Sequence, residues 1–266
     1  SYKTKKRRII AFKNSFHGRS CAAIASTDNN KIQSKLSSQV DVSFLRFDQT
    51  KLIEKELIKN DVCAIIIESI QGVGGLDQPA TRYMKDIESL CLKYGTLLIA
   101  DEVQSGFGRT GDFFAFQKHK INPDIITIAK GMGNGFPIGG ILVSDKIKAE
   151  HGLLGSTFGG NHLACCSSLA VLKIIKQEKL MRNTSEMEKY FRKSISKING
   201  IKVKGRGLML GLEFNFEVKN LRDDLIYKKH IFTGGSSNKN LLRILPPLNI
   251  KKNDLDKFFK ALNELI

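Results

Sequence analysis

The segments Leu97-Leu98-Ile99-Ala100-Asp101-Glu102-Val103-Gln104 and Ile125-Ile126-Thr127-Ile128-Ala129-Lys130 each read as a short apolar run that ends in a charged group. Runs of this length, rich in Ile and Leu and without polar alternation, suit strands buried on both faces. Similar runs predict strands at 62–67, 96–100, 125–129 and 140–143. Between the first two lies 81–94, where Met84, Ile87, Leu90, Cys91 and Tyr94 recur at helical spacing and Lys85, Asp86, Glu88 and Lys93 fill the other face. Strand, amphipathic helix, strand is the pattern of a largely parallel sheet covered on both sides, an α/β fold. Such sheets bind ligands outside the carboxyl ends of their strands, where Asp101 and Lys130 both fall.

Working outward, a second long helix is predicted at 163–175, with Ala164, Cys165, Cys166, Ser167 and Ser168 small enough for close packing. Beyond Met181 the chain becomes Lys-rich and its apolar runs thin out, so residues 1–182 are expected to form a major domain and 183–266 a small α+β domain. The small domain is predicted to contain strands at 207–214 and 241–245, a break at Pro246-Pro247, and a final helix. That helix carries Leu255, Phe258, Phe259, Leu262 and Leu265 on one face, with Asn253 or Asp254 as its N-cap.

Composition narrows the function classes. With 43 basic against 26 acidic residues the formal charge is +17, which brings nucleic acid, anionic surfaces and small anionic substrates into consideration. The excess is spread along the whole chain and so discriminates weakly. No window approaches the roughly 18 apolar residues of a membrane span, which argues against a membrane protein. The five cysteines, Cys21, Cys63, Cys91, Cys165 and Cys166, form no C-x-x-C pair and lie mostly in stretches expected to be buried, which suits reduced thiols in the cytoplasm. His17 and His151 lack metal-ligand spacing, so no metal site is expected.

An Asp and a Lys at neighbouring strand ends put an anion and a cation in one crevice. Gly131, Gly133, Gly135, Gly139 and Gly140 follow Lys130 and leave the backbone open to close approach by something flat. Schiff-base catalysis with pyridoxal phosphate needs this arrangement: a lysine amine for the cofactor aldehyde, and a carboxylate that keeps the pyridine nitrogen protonated. For an isolated Asp and Lys, an ordinary strand-end ion pair is the commoner reading.

The surrounding pattern carries more. Residues 98–111 (LIADEVQSGFGRTG) and 123–131 (PDIITIAKG), with Phe16-His17-Gly18-Arg19 upstream and Ser156-Thr157-Phe158-Gly159-Gly160-Asn161 and Arg243-Ile244-Leu245-Pro246-Pro247-Leu248 downstream, resemble the class III pyridoxal-phosphate aminotransferases. Within that class the chain looks most like acetylornithine or succinylornithine aminotransferases. The resemblance implies fold type I, a three-layer α/β major domain, in a homodimer. It implies Lys130 as the Schiff-base lysine and acid/base, Asp101 on the ring nitrogen, and Gln104 on the ring's phenolic oxygen. Phe16 and Val103 would sandwich the ring, Glu68 would support the polar edge, and Thr157 would reach the cofactor phosphate of the neighbouring subunit. Arg19 and Arg243 match the two carboxylate-binding arginines, a task suited to the guanidinium fork, and Ser156 would contact the donor. The implied reaction moves the ω-amino group of an N-acylornithine to 2-oxoglutarate, in the cytoplasm and in arginine biosynthesis; an ornithine- or 4-aminobutyrate-type ω-aminotransferase is the alternative.

Two departures from the family pattern stand out. Val73 occupies the position of a Glu that in ornithine aminotransferases masks the arginine matching Arg243, so Arg243 is expected to be free in both half-reactions. The Gly-rich segment that cradles the cofactor phosphate would precede Ser1, which implies an N-terminally incomplete major domain of weak activity, with 1–8 as the end of the helix after the cradle.

Two further signals are set aside. Gly106-Phe107-Gly108-Arg109-Thr110-Gly111 fits G-x-G-x-x-G, but it starts five residues after Asp101 and opens no convincing helix, against dinucleotide binding. Lys3, Lys5, Lys6, Arg7 and Arg8 resemble a nucleic-acid patch, which makes a non-catalytic basic module the alternative from a different class. Aromatic residues do not interleave with these charges, against a single-strand platform.

Overall fold

Short β-branched runs alternate with amphipathic helices, and the chain folds accordingly. The computed structural model describes residues 1–148, 150–153 and 155–266. The elements run β1 Arg8–Phe12, α1 Cys21–Ala25, β2 Val42–Leu45, α2 Thr50–Leu57, β3 Val62–Glu68, α3 Thr81–Tyr94, β4 Leu97–Asp101, β5 Ile125–Ala129 and β6 Gly139–Val143. There follow α4 His162–Gln177, α5 Leu180–Ile195, β7 Lys202–Arg206, β8 Met209–Glu213, α6 Lys219–Tyr227, β9 Leu241–Ile244 and α7 Lys252–Asn263.

The first six strands form one sheet in the order β2-β1-β3-β4-β5-β6, parallel except for the antiparallel edge strand β6. Its core gathers Ile10, Phe12, Ile65, Ile67, Leu98 and Ala100 from the strands and Met84, Ile87 and Leu90 from α3. Each fully buried side chain of this size contributes roughly 1.5–3 kcal/mol. Helix α3 stops where Gly95 takes the left-handed conformation at φ 58°. A second, antiparallel sheet β7-β8-β9 packs with α5, α6 and α7 around Phe191, Leu210, Leu212, Leu242, Phe258 and Leu262. The first core reaches Leu180 and the second begins at Met187, both on α5, so the expected division at 183 falls inside a continuous helix. The change to a Lys-rich sequence marks the solvent face of that helix rather than a linker.

Three local expectations are corrected. Residues 1–7 form turns and irregular chain rather than a helix end, with β1 starting at Arg8. That arginine is drawn inward by Asp61 and Glu56 at 2.7 and 2.6 Å. Helix α7 is capped at Lys251, with Asn253 and Asp254 in its first turn. There Asp254 accepts the Lys251 N–H at 3.3 Å, half of a capping box. Only Cys63 and Cys91 are buried; Cys21, at the start of α1, is exposed, and so are Cys165 and Cys166, because the apolar character of α4 lies largely on an open face. The glycines after Lys130 serve the local turn as well as the cleft: a Cβ on Gly133 would lie 2.4 Å from the Phe136 carbonyl. Among the described residues no helix is long and apolar enough to cross a membrane.

Candidate active site

Strand register assembles the polar floor of the site. Glu68 of β3 pairs with Asp101 of β4, and Asp101 with Thr127 of β5, so three polar residues stand abreast at the carboxyl ends of adjacent parallel strands. Asp101 is 6% exposed and accepts three hydrogen bonds. His17 Nδ1 donates to Oδ2 at 2.6 Å, while Thr127 Oγ1 and the Val103 N–H donate to Oδ1 at 3.0 and 3.1 Å. The commoner strand-end reading is thereby overturned, since among the described residues no ion pair joins Asp101 to Lys130. Lys130 instead follows β5 in a short turn at φ 45°, a left-handed conformation uncommon for a side chain other than glycine, and is exposed toward the cleft.

Glu68 binds two segments at once. Oε1 accepts the Phe16 N–H at 2.9 Å and Oε2 the Gly72 N–H at 3.0 Å. Burial raises its pKa to about 7, against the lowering effect of His17 and the two backbone donors. The neighbouring Glu102 is fully buried and accepts from the backbone of Ala115 and Phe116, each at 2.9 Å, and from Ser105 Oγ at 2.8 Å. It pins the turn behind Asp101, and its burial also raises its pKa.

A cavity of about 120 Å³ is lined by Phe16, His17, Glu68, Asp101, Val103, Gln104 and Lys130 together with Val73. A larger one of about 580 Å³ shares Gln104 and Lys130 with it and extends to Arg109, Gly131, Arg243 and Leu245. The cleft thus passes from the main sheet to the second sheet, with Lys130 at the junction. The predicted Lys130, Asp101, Gln104, Glu68, Phe16, Val103 and Arg243 all line it. Arg19 does not: it is exposed, with its Cζ 6.0 Å from the Phe16 ring centroid. Ser156 and Thr157 are likewise exposed and line neither cavity of this chain.

Arg243 donates from Nη1 to the Gly72 carbonyl at 2.8 Å, so it is anchored to backbone rather than wholly free, and it has no acidic partner among the described residues. Burial and the nearby Arg222 lower its pKa. The sequence motif assigns His17 no role, and neither its bond to Asp101 nor that of Thr127 follows from spacing. The available signal is position: His17 in the loop after β1, and Thr127 in the last pairing row between β4 and β5.

A family model for class III aminotransferases matches residues 1–266. The chain belongs to the class III aminotransferases. It is similar to the acetylornithine aminotransferase of Methanosarcina mazei, 36% identical over 98% of this chain and 67% of the relative, and to that of Aquifex aeolicus, 38% identical over 97% and 68%. Among solved structures, the ornithine aminotransferase of Toxoplasma gondii, described with partial occupancy of PLP at its active site, superposes with TM-score 0.85. Its identity is 26%, over 98% of this chain and 65% of that one. The chain spans about two-thirds of the length of the relatives it matches.

Class III aminotransferases depend on pyridoxal phosphate, and the residues of this aminotransferase chain fit that cofactor. His17 Nε2, Gln104 Oε1 and Arg243 Nε are buried with no hydrogen-bond partner among the described residues, an arrangement that suits a polar ligand in the same cleft. The buried carboxylate of Asp101 is the acceptor that a protonated ring nitrogen requires, and Phe16 and Val103 supply apolar walls.

Proposed function

We propose that this chain carries the catalytic cleft of an aminotransferase that moves the ω-amino group of an N-acylornithine, acetylated or succinylated, to 2-oxoglutarate. The products are the semialdehyde and glutamate. The observation that carries the reading is the convergence of Lys130, Asp101, His17 and Gln104 on one cleft that continues to Arg243. The acyl-ornithine substrate is supported by the names of the curated relatives, and the ornithine alternative by the solved neighbour.

Pyridoxal phosphate, when bound, supplies an electron sink for the pair left behind by the departing proton. The chain's own residues do the rest. Asp101 holds a negative charge against the ring nitrogen, and His17 and Thr127 fix the carboxylate's orientation. Lys130 Nζ is the amine that would hold the cofactor aldehyde and, when free of it, the acid and base placed in the cleft to move the substrate proton. Phe16 and Val103 would wall the ring, and Gln104 and Glu68 would face its polar edge. Arg243, with Arg19 from the loop after β1, binds substrate carboxylates through charge-assisted hydrogen bonds. Residues 1–182 serve as the cofactor-holding part and 183–266 as the part that brings Arg243.

The working enzyme in this reading is a cytoplasmic homodimer in which Ser156 and Thr157 face the neighbouring subunit's site. The exposed apolar edge β6, with Ile141, Leu142 and Val143, and the open face of α4 support such an assembly. The test is glutamate formation from 2-oxoglutarate with N-acetylornithine, N-succinylornithine, ornithine and 4-aminobutyrate offered separately. An acylated donor is expected to react fastest, with no turnover in Lys130→Ala. Equal or faster turnover with a non-acylated donor would overturn the substrate assignment.

A further inference from the structure

Gly72 is tethered on both sides. Its N–H, in the peptide with Gln71, donates to Glu68 Oε2 at 3.0 Å, and its carbonyl, in the peptide with Val73, accepts from Arg243 Nη1 at 2.8 Å. The bond to Glu68 fixes the place of the Gly72 backbone, and that place in turn fixes where the carbonyl meets the guanidinium. The same residue touches a third part of the cleft, since a Cβ at Gly72 would lie 2.0 Å from Gln104 Oε1. The second carboxylate oxygen of Glu68 holds the Phe16 N–H, and the next peptide, at Val73, accepts the Ser237 N–H from the second sheet's side at 2.9 Å.

With Val73 in the chain, Arg243 is held by a neutral carbonyl. That fixes the direction of the guanidinium without cancelling its charge, and Nε is left buried and unpartnered. A carboxylate bound at Arg243 thus meets an oriented cation with spare donors.

We propose that Glu68 is a positioning residue for Arg243, acting by holding the Gly72 backbone whose carbonyl orients the guanidinium, so that a side chain at the end of β3 sets the affinity of the cleft for a substrate carboxylate. The proposal deepens the aminotransferase reading and rests on it for the role of Arg243. Glu68→Gln keeps the shape but turns an NH₂ toward one of two backbone N–H donors, so either Phe16 or Gly72 loses its acceptor.

The test is a double-mutant cycle on the full chain, reading the dissociation constant of glutarate, an unreactive dicarboxylate, by calorimetry. The variants are Glu68→Gln, Arg243→Gln and both together. Glu68→Gln is expected to weaken glutarate about tenfold, and the double variant to bind no worse than Arg243→Gln alone. In ¹⁵N spectra the Arg243 Nε–H signal, assigned by its loss in Arg243→Gln, is expected to move in Glu68→Gln. Additive losses in the cycle, or a glutarate affinity within twofold of wild type with an unmoved signal, would overturn the proposal. If Arg243→Gln binds glutarate as wild type does, the carboxylate-binding reading of Arg243 fails first, and the positioning role falls with it. Should Glu68→Gln not fold, Glu68→Asp, which reaches only one of the two donors, reads the same cycle.

Discussion

Replacing Asp101 by Asn separates the chemistry of the cleft from its architecture. Asn keeps one oxygen in the place of Oδ1, so the bonds from Thr127 Oγ1 and the Val103 N–H, at 3.0 and 3.1 Å, are retained. Only the 2.6 Å charge-assisted bond from His17 loses its anionic acceptor. Charge-assisted bonds are about twice as strong as neutral ones, so the loss is about 1–1.5 kcal/mol. For a chain of this length that lowers the melting midpoint by roughly 2–6 °C. The catalytic loss is far larger, because the charge that keeps the ring nitrogen protonated has gone; removal of one preorganised electrostatic group of this kind costs on the order of 10²–10³ in turnover. Differential scanning fluorimetry and a glutamate-release assay read the two quantities on one preparation. A melting shift beyond about 10 °C would contradict the hydrogen-bond accounting. A turnover loss under about tenfold would contradict the role given to Asp101.

Stability should vary with pH in two opposed ways. Glu68, with its pKa raised to about 7, binds a proton in the folded state that the unfolded chain releases near its ordinary value of 4.5. Its contribution is therefore fully present below about 4.5 and is lost as pH rises from there through 7, by up to roughly 3 kcal/mol. His119, lowered to about 4 chiefly by burial, works the other way, and stability falls as pH drops from 6.5 toward 4. The two terms overlap and oppose each other between pH 4.5 and 6.5, so in urea melts across pH 4–9 stability should rise more steeply with pH over that range in Glu68→Gln and less steeply in His119→Phe; unchanged slopes in both would refute these assignments. Arg109 donates to the carbonyls of Pro246 and Leu208 and is mostly buried, with no acidic partner among the described residues. Arg109→Ala should leave those two carbonyls short of donors and lower stability by about 2–4 kcal/mol in urea melts, with a loss under 1 kcal/mol as the contrary result.

Much of this was legible in the sequence because the decisive elements are local. Helix α3 and strand β5 run where periodicity put them, and β4 is displaced by one residue, since buried apolar runs bounded by polar residues leave little choice of register. Asp101 and Lys130 were legible as strand-end groups. The wiring of the site was not: the His17–Asp101 bond joins residues 84 apart, and the Arg243–Gly72 bond residues 171 apart. No spacing encodes such contacts, because they exist only once the sheet has set its strand order. The division at 183 lies between Leu180 of the first core and Met187 of the second, but composition could not show that α5 runs unbroken across it, because that depends on which face of the helix meets which sheet.

The central claim is that Lys130 is the residue that binds pyridoxal phosphate in this cleft. Reducing the protein with borohydride in the presence of pyridoxal phosphate and mapping the labelled peptide tests it directly. The account predicts a visible absorbance band before reduction, and a single label on Lys130 that is lost in Lys130→Ala. A label spread over surface lysines, or one on another residue that persists in Lys130→Ala, would contradict it.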